Sequence, residues 1–341
     1  MRYSLIVPVY NRPDEVDELL ESLCSQTLKD FEVIIVEDGS QKPCKDVCDK
    51  YANILDLHYY YKENSGPGQS RNYGVERAHG DYVIILDSDV VLPTGYLAAV
   101  DNNVQCSVFN VQCFGGPDAA HPSFTPVQKA ISYSMTSFFT TGGIRGGKKK
   151  LDKFFPRSFN MGIRRDVYQQ LGGFSKMRFG EDVDFSYRIV EAGYQPQLFP
   201  EAWVWHKRRT DFRKFFRQVY NSGIARINLE KRHPGTMKLV HLLPMVFTLG
   251  VLGMLLLSVL SLLSPLTSHL SPLFLLPLLL YCLLLLIDST ILNKSLKVGL
   301  LSIPAAFTQL MGYGFGFIES WWKRCVLKQD EFTAFEKNFY K

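Results

Sequence analysis

Three acidic groupings in this chain are spaced for chemistry. "LDSDV" sets Asp87 and Asp89 one residue apart at the end of an apolar run, "VEDGS" ends another such run in Glu37-Asp38, and "GEDVDF" holds Glu181, Asp182 and Asp184. Spacing alone says little. With 19 Asp in 341 residues, ordinary composition gives about one D-x-D triplet by chance, and this chain has two. Local geometry separates them. In an extended segment residues i and i+2 point to one side, so Asp87 and Asp89 can face a single ligand. On a helix i and i+2 do not share a face, so Asp182 and Asp184 do not make such a pair, and Asp184 reads as structural.

The elements that must position these residues are legible over the first ninety positions. Residues 3–9, 31–37, 56–61 and 81–87 read as strands, and 13–26, 43–51 and 67–78 as helices. Continuous β-branched runs separated by helices predict an α/β fold, with a mainly parallel sheet covered on both faces. Sheets of this kind bind ligands in the crevice beyond the carboxyl ends of their strands, and Asp38 and Asp87 both fall at such ends. From 105 to 163 the pattern is less regular. The stretch "TTGGIRGGKKKLDKFF" (140–155) reads as a surface loop with Lys148–Lys150 solvated. Residues 164–171 look helical, and a further helix with an acidic start follows Gly180.

A net charge of +5 is too mild to argue for nucleic acid, but suits phosphorylated ligands or an anionic membrane surface. The opening apolar run is too short for a signal-peptide core and reads as a strand. Seven cysteines without a C-x-x-C pair, and no His-rich ligand spacing, indicate neither a disulfide framework nor a zinc site. Cys44 and Cys48 read as ordinary reduced thiols.

Further along, 206–235 interleaves Lys and Arg with aromatic and aliphatic residues. That is the pattern of a basic amphipathic helix at a membrane surface, with a domain-packing helix as the alternative. Three apolar segments follow at 239–263, 272–292 and 298–318, each about long enough to span a bilayer. The basic 206–238 stretch and the Lys/Arg-free 264–271 loop place the N-terminal region in the cytosol. Three full spans would put the basic, aromatic tail (321–341) on the other side against the same rule, so the third segment is either a span, or re-entrant or interfacial. The expected organisation is a catalytic domain over 1–235 and a membrane region over 239–320.

The pieces "SLIVPVYNRP", "FEVIIVEDGS", "NSGPGQSRNYGVERAHGDYVIILDSDV" and "GGFSKMRFGEDVDFSYRI", in this order over roughly residues 3–206, resemble family 2 inverting glycosyltransferases with the GT-A fold. The resemblance implies a nucleotide-diphosphate sugar donor and a Mn²⁺ or Mg²⁺ ion that stabilises the charge developing on the departing diphosphate. It implies Asp89 as direct metal ligand, Asp87 at the ribose or a metal-bound water, and Asp38 accepting from the base between Pro8 and Tyr10. It implies Arg71 near the nucleotide or its phosphates, with an ordinary helix-surface salt bridge as the alternative, Glu181-Asp182 as the family's acidic pair with Asp182 the base, and His206 as a further metal ligand or, alternatively, a strand-end histidine. The family commonly has Asp-Asp where this chain has Glu37-Asp38. "RQVYNSG" lacks the Gln-x-x-Arg-Trp signature of processive synthases, which favours single transfers. The expected acceptor is a lipid-linked or membrane-proximal glycan. The alternatives are a polyprenyl-phosphate glycosyltransferase and, in another class, a non-catalytic membrane-tethered nucleotide-binding protein.

Overall fold

The structure is a computed structural model and describes residues 3–107, 110–142, 154–263 and 266–335. The basic run Lys148–Lys150 lies outside the described residues. Strands are β1 (Tyr3–Val9), β2 (Phe31–Asp38), β3 (Leu57–Lys62), β4 (Tyr82–Leu86), β5 (Val90–Val91), β6 (Cys113–Gly115), β7 (Asp118–Ala119), β8 (Asn160–Arg164), β9 (Gln197–Leu198) and β10 (Val204–His206). Helices are α1 (Pro13–Cys24), α2 (Lys45–Tyr51), α3 (Pro67–Val75), α4 (Tyr96–Cys106), α5 (Pro126–Thr136), α6 (Phe138–Thr141), α7 (Arg165–Gln170), α8 (Glu181–Glu191), α9 (Phe212–Arg232), α10 (Leu243–Leu262), α11 (Ser271–Asn293) and α12 (Leu296–Trp321).

Contacts divide the chain into two units. The first takes in residues 1–121 and 150–207, and the second 122–149 and 208–339. The boundary at 207/208 differs from the sequence-based one at 235, and the second unit recruits α5 and α6 from the irregular middle of the chain.

The first unit is built on a seven-stranded sheet of order β3-β2-β1-β4-β8-β6-β9. β1, β2, β3 and β4 are parallel neighbours, as their continuous apolar runs predict. They are buried from both sides: Leu5 and Val7 join a cluster with α1, while Ile6 and Ile34 join one with Val75 and Ala78. The sheet is mixed, because β8 inserts antiparallel between β4 and β6. β8 is hidden in the sequence by Asn160 and Gly162, and the glycine has a packing reason. A Cβ on Gly162 would lie 2.0 Å from the Phe114 ring, which stacks on Phe199. A second, three-stranded sheet of order β5-β10-β7 stands beside the large one in the same unit.

In the second unit, α9 and α12 approach closely through glycines. A Cβ on Gly223 would meet the Tyr313 carbonyl oxygen at 2.2 Å, and one on Gly316 the Tyr220 carbonyl oxygen at 2.0 Å. Small residues on a helix face allow this contact. Residues 239–262, 268–293 and 296–326 are each long and apolar enough to cross a membrane. The third runs helically through Pro304, and Asp288 in the second accepts a hydrogen bond from the Tyr133 hydroxyl at 2.6 Å. All seven cysteines are free thiols.

Overpacking a tight core contact costs about 1–3 kcal/mol. Gly162→Val is therefore expected to lower the thermal midpoint of the detergent-purified chain, whereas an unchanged melt would refute the Phe114 contact as the reason for this glycine.

Candidate active site

Because β1, β2 and β4 run parallel, their carboxyl ends share one edge of the sheet. The edge carries Tyr10 and Arg12 after β1, Asp38 ending β2, and Asp87 and Asp89 after β4. Pro8 and Tyr10 are half-buried there.

Asp38 is held firmly. Its carboxylate accepts from Lys62 Nζ at 2.5 Å and from the Ser65 and Gly66 amides at 2.9 Å each. A carboxylate offers about four acceptor sites, so one further donor can still be accommodated. Lys62 and Ser65 also line a cleft of about 620 Å³ with Gln69, Asn72, Tyr73 and Lys176. Glu37 points the other way, fully buried, and accepts from the Ser40 hydroxyl and the Cys44 amide. It shapes the turn that presents Asp38.

Arg71 is 3% exposed and donates from Nη2 to Asp87 Oδ1 and from Nη1 to Glu181 Oε1, each at 2.8 Å. Its guanidinium lies over the Phe174 ring, 5.2 Å from the centroid. Arg71 therefore ties the end of β4 to the start of α8, and Glu181 is engaged with it inside the protein.

Asp89 has a cation on each oxygen. Oδ2 accepts from Arg12 Nη1 at 2.9 Å, and Oδ1 is 3.2 Å from His206 Nε2. The small sheet explains the second contact. β10 pairs antiparallel with β5, with His206 opposite Val90, and parallel with β7, which brings Asp118 Oδ2 to 3.7 Å from His206 Nδ1. The imidazole stacks on Phe159 with centroids 4.9 Å apart. Burial alone would lower the His206 pKa, but Asp89 and Asp118 outweigh it and push it up to about 9. Ligand atoms of Asp87, Asp89 and His206 all lie within 4.8 Å of one another. Two carboxylates and an imidazole so grouped fit a Mn²⁺ or Mg²⁺ ion in donor type.

At the start of α8, Asp182 Oδ2 pairs with Arg157 Nε at 2.8 Å and Oδ1 accepts from the Val183 amide at 2.9 Å. The two acids of the pair are driven apart. Burial, reinforced by the Asp182 charge and only partly offset by Arg71, pushes Glu181 up to about 6. Burial also acts on Asp182, but Arg157 and then Arg71 overcome it and hold the carboxyl below its usual range. Asp182 is thus the more firmly ionised member of the pair. Asp184 accepts from Arg188 Nε at 3.2 Å, one helical turn on.

Four residues of this constellation escaped the sequence reading: Arg12, Lys62, Asp118 and Arg157. Each is an ordinary charged residue whose place emerges only once β1 lies beside β4, β3 beside β2, β7 beside β10, or the segment before β8 beside the start of α8.

A carboxyl whose folded-state pKa is raised binds its proton more tightly when folded. The Glu181 contribution to stability is therefore present below its ordinary value of 4.5 and lost as pH rises through about 6. Relative to Glu181→Gln, which stays neutral, the parent is expected to lose thermal stability across that window. Parallel pH profiles for the two proteins would contradict the burial effect.

Comparison with known proteins agrees with this architecture. Residues 4–172 match the model for "Glycosyl transferase family 2". The pre-mycofactocin glycosyltransferase of Mycobacterium tuberculosis is 27% identical over 249 residues, 68% of this chain and 48% of that protein. The poly(ribitol-phosphate) β-N-acetylglucosaminyltransferase TarS of Staphylococcus aureus is 39% identical over 93 residues, 26% of this chain and 16% of that protein. The chain thus spans less than half the length of these curated relatives. Among solved structures, a mannosyltransferase from Pyrobaculum calidifontis, determined with GDP-Man and Mn²⁺, matches with a TM-score of 0.58 at 16% identity, covering 95% of this chain and 88% of that one. With its mostly parallel sheet, its ordered motifs and these matches, the chain has the GT-A fold and belongs to glycosyl transferase family 2.

Proposed function

We propose that this chain is a metal-dependent, inverting, non-processive glycosyltransferase that moves one sugar from a nucleotide-diphosphate sugar to a hydroxyl of a lipid-linked or membrane-proximal glycan. The observation that carries the reading is the Arg71 bridge. One buried guanidinium joins Asp87, in the cluster suited to a cation, to Glu181, neighbour of the ionised Asp182.

Asp89 and His206 hold the ion, with Asp87 beside it at the ribose or a bound water. When bound, Mn²⁺ or Mg²⁺ supplies positive charge to the departing diphosphate. Asp38 accepts from the nucleotide base, with Pro8 and Tyr10 as the neighbouring wall. The acceptor oxygen attacks the anomeric carbon from the face opposite the diphosphate, the bond to the diphosphate oxygen breaks, and Asp182 takes the hydroxyl proton. Glu181 and Arg71 position the two ends of the site.

The membrane assignment is supported by the three long apolar helices. The basic 206–238 stretch before them supports an inner-membrane, multi-pass chain whose catalytic region faces the cytoplasm. One observation favours a second acceptor class. Arg157, 41% exposed at its side chain, sits on Asp182, and a cation there suits an anionic nucleophile such as a polyprenyl phosphate, which needs little help from a base.

Purified protein, a panel of nucleotide sugars, Mn²⁺ and separate glycan and polyprenyl-phosphate acceptors test these readings. Asp89→Asn is expected to lose metal-dependent donor binding. Asp182→Asn is expected to keep donor binding and lose transfer to a hydroxyl by about 10²–10⁴-fold. Full transfer to a glycan by Asp182→Asn would sink the base assignment, and donor binding indifferent to EDTA would sink the metal.

A further inference from the structure

The opposite edge of the large sheet carries a second group of metal-ligating side chains. Glu32 is the second residue of β2 and is fully buried. It lies roughly 20 Å along the strand from Asp38, taking about 3.3 Å per residue. His58 is the second residue of β3 and pairs in register with Ile34. Since Glu32 and Ile34 share one face of β2, Glu32 and His58 are diagonal neighbours on that face. Asp56 precedes β3, and His79 lies in the connection from α3 to β4.

The partners of Glu32 divide by oxygen. Oε1 accepts from the Ser4 hydroxyl at 2.6 Å and from the His79 amide at 2.7 Å. Oε2 faces two imidazoles, His79 Nδ1 at 3.1 Å and His58 Nε2 at 3.6 Å. His58 Nε2 is also 3.1 Å from Asp56 Oδ1. Ligand atoms of Glu32, Asp56 and His58 all fall within 4.8 Å of one another.

We propose that Glu32, Asp56 and His58 form a zinc-binding site at the amino-terminal edge of the sheet, separate from the candidate active site. The donor set is one imidazole and two carboxylates, which suits Zn²⁺ with a water in its fourth position. Around a tetrahedral zinc with bonds of about 2.0–2.1 Å, neighbouring ligand atoms stand about 3.3 Å apart. The contacts of His58 with Asp56 at 3.1 Å and with Glu32 at 3.6 Å bracket that spacing. Charge points the same way. Among the described residues the ion-pair partners of Glu32 are histidines alone, and a buried carboxylate without a firm cation is costly. His58 and Asp56 are 38% and 45% exposed at their side chains, which leaves a path for entry. A bound ion would tie the starts of β2 and β3 together and stabilise the folded chain by mass action.

The test uses the full chain in detergent, with Zn²⁺ alone as titrant and Co²⁺ as spectroscopic probe. The candidate active-site cluster is first removed with Asp89→Ala and His206→Ala. This background is expected to retain one equivalent of Zn²⁺ and to show the intense visible bands of tetrahedral Co²⁺. Adding Asp56→Asn and His58→Gln is expected to weaken Zn²⁺ binding by at least about tenfold and abolish those bands. These side chains are 45% and 38% exposed, and His79 stays on Glu32, so the metal-free melting temperature is expected to stay at the background value, which separates lost ligation from lost folding. No zinc retained by the background, or equal zinc affinity with and without these two substitutions, would overturn the site.

Discussion

The first unit depends on a buried positive charge. Taking a guanidinium out of water costs several kcal/mol unless its donors are met by anions. Arg71 meets that condition with Asp87 and Glu181 at 2.8 Å each and with the face of Phe174. Neither acid is free to move without stranding the arginine. The constraint therefore fixes the end of β4 against the start of α8, segments far apart in sequence. In the proposed reaction these are the donor end and the acceptor end, and their spacing is a property of the fold before any substrate arrives.

A second balance of charge surrounds Asp89. Arg12 and His206 occupy its two oxygens, and Asp118 stands behind the imidazole. The three-stranded sheet exists at the place where this balance is needed, since its pairing alone brings β10 beside β5 and β7. A group of two carboxylates and an imidazole that is already cation-satisfied in the free protein does not repel itself open. In the proposed reaction a divalent ion would take the place of Arg12 and the imidazole proton. The acidic pair follows a related logic, in which a shared environment keeps Asp182 ionised while Glu181 is pushed toward neutrality.

Most of the parallel half of the fold was legible in the sequence, because a strand buried on both faces writes itself as an unbroken apolar run. β8 was not, because its Asn160 and Gly162 serve a hydrogen bond to Tyr96 and a close approach to Phe114 rather than a hydrophobic pattern. The acids of the site were legible from their positions at strand and helix ends. Their partners were not: Arg12, Lys62, Asp118 and Arg157 carry no local pattern, and Arg71 looked like a surface arginine on a weakly patterned helix. The same limit hid the cluster of Glu32, Asp56 and His58. Its ligands come from the start of β2, the start of β3 and the residue just before β3, and the gap between Glu32 and Asp56 announces nothing along the chain.

The central claim is that Arg71 couples the cation site to the acidic pair, and a single conservative replacement addresses it. Arg71→Lys preserves the charge but offers a compact ammonium in place of a two-pronged fork, so one of the two carboxylates must lose its bond. Mn²⁺ affinity and the transfer rate, measured on the same preparation with the donor that supports turnover, are predicted to fall together by roughly ten- to a hundredfold. Parental Mn²⁺ affinity and parental transfer in Arg71→Lys would contradict the account.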